Sequence, residues 1–426
     1  VIRRTDGAYA PVRIVPLDHE PLPGAEAEPL DRVPSSVAAA AGLAVVVAWA
    51  TFVLVGLRWP HVARTTGGLG AAIDHSVWRT LLADRIIAVA GWLATATTLF
   101  VLGGALFRLL VAGPVERREA GPALSGAAGR RARAGVRAGA GARSGPRPPR
   151  RLQVVASPAS GGLALAVAAR HAAVVRGAAL LGVLASGAAV VLRAVELSAG
   201  SVSVGLTRLG FVATTPFGIA ALARVAGLVV LAWSASTPTG GPAGGRAAAL
   251  GGVAVLAAFA LVGHPQATPA ASTALRGGLV AAQVTHVLMA ALWFGGICLL
   301  AMDLRERRRL GDPRGSAAVV ARFSSLAGLA VLGVTATGLA LARSQVDTIA
   351  GAPETAYGRA LIAKLGCVAL VVAIGGYNHQ FLVPSVERKG DTAGAWRGLR
   401  RTLLAEGLVI GGGVLVATAA MTSGGF

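Results

Sequence analysis

Apolar runs long enough to cross a bilayer recur along nearly the whole chain, separated by short polar or basic interruptions. A spanning helix needs about 20 mostly apolar residues. The pattern predicts helices at about 37–57, 86–112, 172–194, 216–236, 247–263, 279–302, 323–342, 358–377 and 402–422. The expected fold class is therefore all-α, a polytopic transmembrane helical bundle of about nine helices, because only internally hydrogen-bonded helices satisfy their backbone in hydrocarbon without a closed barrel. Residues 1–36 are polar and Pro-rich without a hydrophobic period, and read as a tail. Val37–Leu57 is longer than a signal-peptide core and follows a poorly basic leader, so an uncleaved anchor helix is expected, with 58–85 a loop beyond it. The core is then 86–236 and 247–422, interrupted by an Arg/Gly/Ala/Pro-rich linker at 113–171 whose composition is that of a disordered segment.

The core carries an internal repeat. TPFGIAALAR, from Thr215 to Arg224, aligns with TAYGRALIAK, from Thr355 to Lys364. In the preceding helices Arg176, Leu180, Gly182 and Gly187 correspond to Arg322, Leu326, Gly328 and Gly333, and Gly103-Gly104 corresponds to Gly295-Gly296. The last eight helices read as two tandem four-helix units. An even number of spans per unit gives both the same orientation, with a pseudo-symmetry axis along the membrane normal.

Composition agrees: 54% of residues are hydrophobic and 14% charged, with a mean hydropathy of +0.66. A formal charge of +21 raises nucleic acid as a partner, but the bases gather in loops between apolar helices. There they set orientation and give no reason to expect nucleic-acid binding. One set of alternate loops holds 23 Lys and Arg, the other 7. The richer set, which includes 113–171, is assigned to the cytoplasm, placing the N-terminus inside and Phe426 outside. No nucleophile elbow, P-loop, HExxH or dinucleotide fingerprint sits in a suitable setting, so no enzyme is expected.

Polar side chains in hydrocarbon are the candidates for chemistry. His19, His61, His75 and His171 fall in loops or at helix margins and read as solvated. His286 lies roughly 10 Å below the outer start of its helix at 1.5 Å per residue. Met289 follows at i+3 on the same face, with Trp293 one turn further. Imidazole with thioether suits copper. His264, in GHPQAT, and Met421, near the outer end of the last helix at the repeat position of His264, fall in the same outer half. The same spacing also fits a packed methionine and a histidine making one hydrogen bond across the bundle. Cys298 and Met302, at i and i+4, point well away from the His286 stripe, while Cys367 lies inside an apolar segment and His379 toward the opposite end; these four are the weaker metal candidates. Glu406 is placed deep enough to pair with a base on a neighbouring helix.

GHP at 263–265, HVLMAALWFGG from His286, RFSSLA from Arg322, TAYGRALIAKL from Thr355 and NHQFLVP from Asn378 together resemble the CopD family of bacterial inner-membrane copper-resistance proteins, also seen as the membrane half of CopC–CopD fusions and in YcnJ-like copper uptake proteins. GGALF at 103–107 extends the resemblance over about 86–422. It implies copper as substrate or ligand, a multi-pass protein of the inner membrane's lipid bilayer, and transport or homeostasis of the copper ion. No CopC-like β-sandwich lies between the anchor helix and the core, so the resemblance implies either a separate CopC-like donor or a different arrangement. The alternatives are a b-type haem electron carrier, which needs histidines paired at one depth, and a non-transporting copper sensor or assembly partner docked through the basic linker.

Overall fold

The computed structural model describes residues 2–3, 9–10, 75–116, 159–198, 201–237, 242–262, 272–344, 352–385 and 393–423. Most of the tail, the anchor helix 37–57, most of the 58–85 loop, linker residues 117–158 and His264 lie outside them. A two-residue antiparallel pairing joins β1 (Ile2–Arg3) to β2 (Tyr9–Ala10); the remaining described elements are helical. They are α1 (His75–Phe107), α2 (Ala159–Glu196), the short α3 (Val202–Thr207) and α4 (Leu209–Thr214), α5 (Pro216–Ala235), α6 (Pro242–Leu261), α7 (Thr273–Arg309), α8 (Pro313–Arg343), α9 (Ala356–Tyr377), α10 (Ala393–Val409) and α11 (Leu415–Ser423). Among the described residues eight segments are long and apolar enough to cross a membrane, and they coincide with the eight core helices expected from the sequence.

Helix ends depart from the expected boundaries. α1 continues through a π turn at Arg108–Ala112 to Glu116, and α2 begins at Ala159, so residues 113–116 and 159–171 are helix, not linker. The reason lies in the packing: Arg170 and His171 end the apolar run on paper, but against α7 the Arg170 guanidinium meets Glu306 and the His171 imidazole faces Asp303. α7 likewise runs on through Arg307–Arg309. Hydropathy marks only the length that hydrocarbon demands.

The repeated motif has a structural cause. Thr215 caps α5 by accepting from the Gly218 amide at 3.2 Å, and Thr355 caps α9 by accepting from the Gly358 amide at 2.9 Å. Each satisfies one of the orphan amides at a helix start. The packing repeats as well. α2 lies on α1 as α8 lies on α7, and each unit's last segment reaches the other unit's first helix: α6 meets α7, and α11 meets α1.

The two units meet at equivalent glycines. A Cβ on Gly295 would lie 2.8 Å from the Gly103 Cα, and one on Gly103 would lie 2.8 Å from the Gly295 Cα. Reciprocal contact between repeat positions is what a two-fold axis produces. Small residues permit such approach, and in lipid close packing is a principal source of helix association. α7 is the central helix: 72% of its most apolar window is buried, against 22–50% for the other spans.

Two π turns supply carbonyls for contacts between helices. Trp92 Nε1 donates to Gly411 O at 3.0 Å, within the π turn Ile410–Val414. Arg322 Nε donates to Leu110 O, within Arg108–Ala112. A third π turn, Asn378–Leu382, follows α9. Such bulges break the regular ladder, and they recur at functional positions.

Candidate functional site

His286 and Met289 both face α8. The imidazole Nδ1 lies 3.1 Å from Thr337 Oγ1, and the Thr337 hydroxyl donates to Gly333 O at 2.5 Å. With the hydroxyl proton so directed, Oγ1 is placed to accept from Nδ1–H in the tautomer whose basic nitrogen is Nε2. This is the arrangement that orients a metal-ligating histidine. A Cβ on Gly333 would lie 2.8 Å from Met289 Cγ and 3.3 Å from its Sδ, and one on Gly338 would lie 3.2 Å from His286 Cε1. Two glycines of α8 thus provide the room in which imidazole and thioether sit. Both residues are half-buried. Trp293, further along the stripe, is buried.

The other sequence candidates are dispersed. Cys298 Sγ sits against α10, where a Cβ on Gly407 would lie 3.4 Å from it, and Met302 packs against the core. Cys367 is buried on α9, and His379 is exposed in the π turn that follows. Met421 belongs to α11, but its side chain is not among the described ones. Among the described residues no three His, Cys, Asp or Glu side chains converge as a metal-binding group.

At the opposite end of α7 the sequence reading needs correction. His171 is not a solvated bystander: only 3% of its side chain is exposed, and Nε2 lies 3.7 Å from Oδ1 of the fully buried Asp303. The Phe107 ring meets the imidazole edge-on, with centroids 6.1 Å apart. Asp303 Oδ2 accepts from Arg307 Nε at 2.9 Å, and Arg307 Nη1 donates to Asp312 Oδ2 at 2.7 Å. Asp312 also caps α8 through the Gly315 amide at 2.9 Å. Gly311, at φ +74°, supplies the left-handed turn that brings Asp312 into place. The chain Asp303, Arg307, Asp312 thus fixes the α7–α8 corner, while His171 ties it to the first unit. The usable signal in the sequence was the i,i+4 acid–base spacing of Asp303 and Arg307.

A second correction concerns Glu406. It is buried, and its partner is a neutral amide, not a base. Asn378 Nδ2 donates to Oε1, while Asn378 Oδ1 accepts from Thr402 Oγ1 at 2.5 Å.

Among the described residues, eight apolar spans and the close-packed glycines at their centre define a multi-pass integral membrane helical bundle. Residues 317–421, from within α8 to α11, match the family described as Copper resistance protein D. A relative, the "Copper transport protein CutJ" of Bacillus subtilis (strain 168), is 32% identical over 138 residues, which is 32% of this chain and 24% of that protein. The matched stretch thus spans about a quarter of that relative's length. No solved structure matches the chain. The CopD match bears out the resemblance read from the carboxy-terminal motifs; His286, Met289 and the first four-helix unit precede the matched residues.

Proposed function

We propose that the protein handles copper in a bacterial inner membrane, as a transporter or homeostasis protein, and that His286 and Met289 capture the ion. The observation that carries this reading is the pairing of the two side chains on the α8 face of the central helix, with His286 oriented through Nδ1 by Thr337. Imidazole and thioether are a donor set for copper, thioether favouring Cu(I). The CopD match and the name of the Bacillus relative support the same cargo. His264 and Met421 are the further ligands that the sequence offers for the proposed set. The basic loops lie in the cytoplasm, so the capture site faces the extracytoplasmic side. A separate CopC-like donor delivers the ion.

Copper accumulation by cells expressing His286→Ala or Met289→Leu tests the site. Both variants are expected to fall toward the level of cells without the protein, His286→Ala further. Undiminished uptake by well-folded variants removes these residues from the mechanism. Thr337→Val keeps the packing but removes the acceptor for Nδ1–H. Its Cu(I) affinity, measured by chelator competition, is expected to drop by about 10- to 100-fold, the usual effect of losing a ligand's outer hydrogen bond.

A further inference from the structure

Glu406 is an acid within a membrane-spanning segment, Gly394–Ala419, with 3% of its surface exposed. Its hydrogen-bond partner is the Asn378 amide, itself held by Thr402 one turn earlier on α10. Arg170–Glu306, Arg193–Glu196 and the pairs of Arg307 with Asp303 and Asp312 all lie away from it. The titratable and charged groups on the elements packed around it do not compensate it. From α7, Cys298 lies beside Gly407, and the Arg308 guanidinium sits over the Trp396 ring, 5.3 Å from its centroid. α9 carries Tyr357, Arg359, Lys364 and Cys367, all two or more turns before Gly375, which lies beside the Glu406 carboxyl, and Tyr377, whose ring meets Phe381; after it come Asn378 and the exposed His379. On α10 itself Arg397, Arg400 and Arg401 precede Glu406 by more than one turn. α11 carries no charged residue.

An ionised carboxylate left without a counter-ion in such surroundings costs several kcal/mol by general estimates, on the order of a buried pair that has lost one partner. The carboxyl meets that cost by binding a cation, and the smallest cation is the proton. The acid is not part of the repeated scaffold, because the corresponding helix of the first unit, α6 (Pro242–Leu261), contains no Asp or Glu. Both helices of the cluster also carry a π turn beside it, Asn378–Leu382 and Ile410–Val414.

We propose that Glu406 is a proton-binding site within the membrane, with Asn378 and Thr402 as its positioning residues, and that it couples the passage of copper to proton movement. The coupling half rests on the copper reading above; the proton site does not. The step is a simple exchange: the carboxylate takes one proton from water on one side of the membrane and returns it to water on the other as the copper ion moves. No oxidant or reductant is consumed.

Two measurements on the full-length protein test it. Infrared spectroscopy at neutral pH is expected to show the carbonyl stretch of a protonated carboxyl that disappears in Glu406→Gln and shifts in Asn378→Leu, which removes the amide donor. A spectrum unchanged in Glu406→Gln overturns the site. Proteoliposomes enclosing a pH-sensitive dye are then given Cu(I), with copper influx and internal pH followed together. Wild type is expected to move protons with copper, and Glu406→Gln, a neutral isostere, to lose the proton signal while still binding copper. Equal proton movement in a folded Glu406→Gln protein overturns the proposal. Absence of copper flux in wild type with the infrared band intact overturns the copper reading and the coupling, and leaves the proton site standing.

Discussion

Gly295→Leu is expected to prevent assembly of the bundle, giving little or no monodisperse protein in detergent. A Cβ at this position would lie 2.8 Å from the Gly103 Cα, 2.9 Å from Phe100 O and 3.0 Å from the Gly103 carbonyl carbon. All three neighbours are backbone, so no rotamer change relieves the contact. Reciprocally, a Cβ on Gly103 collides with the Ala291 carbonyl oxygen. Overpacking of a closed core typically costs about 1–3 kcal/mol where side chains can shift, and here two whole helices must separate. The separation would also remove what joins the repeat units at their centre, since α1 and α7 are the first helix of each. Gly277→Leu on the same helix is the control: nothing lies within 4 Å of its added Cβ, and near-normal yield and thermal stability are expected. Equal yields from the two variants would show that the glycine contact does not hold the units together.

Much of this architecture was legible because lipid imposes a simple rule on sequence. A span must be apolar for a fixed length, so eight core helices could be placed from hydropathy alone. The repeat was legible through Thr215 and Thr355, whose capping role requires a hydroxyl three residues before an amide. The common face of His286 and Met289 followed from their i,i+3 spacing. Contacts between helices were less visible. His171 looks peripheral because an arginine precedes it and the apolar run resumes after it, and only the fold sets it against Asp303. Glu406 suggested a basic partner, whereas the neighbour proved to be Asn378, an amide whose position depends on how α9 and α10 pack. The π turns left no trace in the hydropathy, since a single wide turn shifts the phase of a helix without altering its composition.

Asp303→Ala is expected to destabilise the protein by about 3–5 kcal/mol, the usual result of removing one partner from a buried ion pair. Asp303 and Arg307 are both 0% exposed, and the guanidinium would lose its fully buried counter-ion, while Asp312, whose side chain is 22% exposed, remains beside it. His171 would lose its facing carboxylate at the same time. The double variant Asp303→Leu/Arg307→Met separates charge balance from any role in transport. Replacing a buried pair with apolar residues of similar volume is often neutral or stabilising, so most of the lost thermal stability should return. Asp312 would still cap α8 through Gly315, and the α7–α8 corner would keep that anchor. If the double variant is as unstable as Asp303→Ala, the network contributes more than mutual neutralisation. Recovery of stability together with copper uptake would show that the network serves the fold alone. Recovery of stability without uptake would assign the charged corner to the transport path, at the far end of the same helix that carries His286 and Met289.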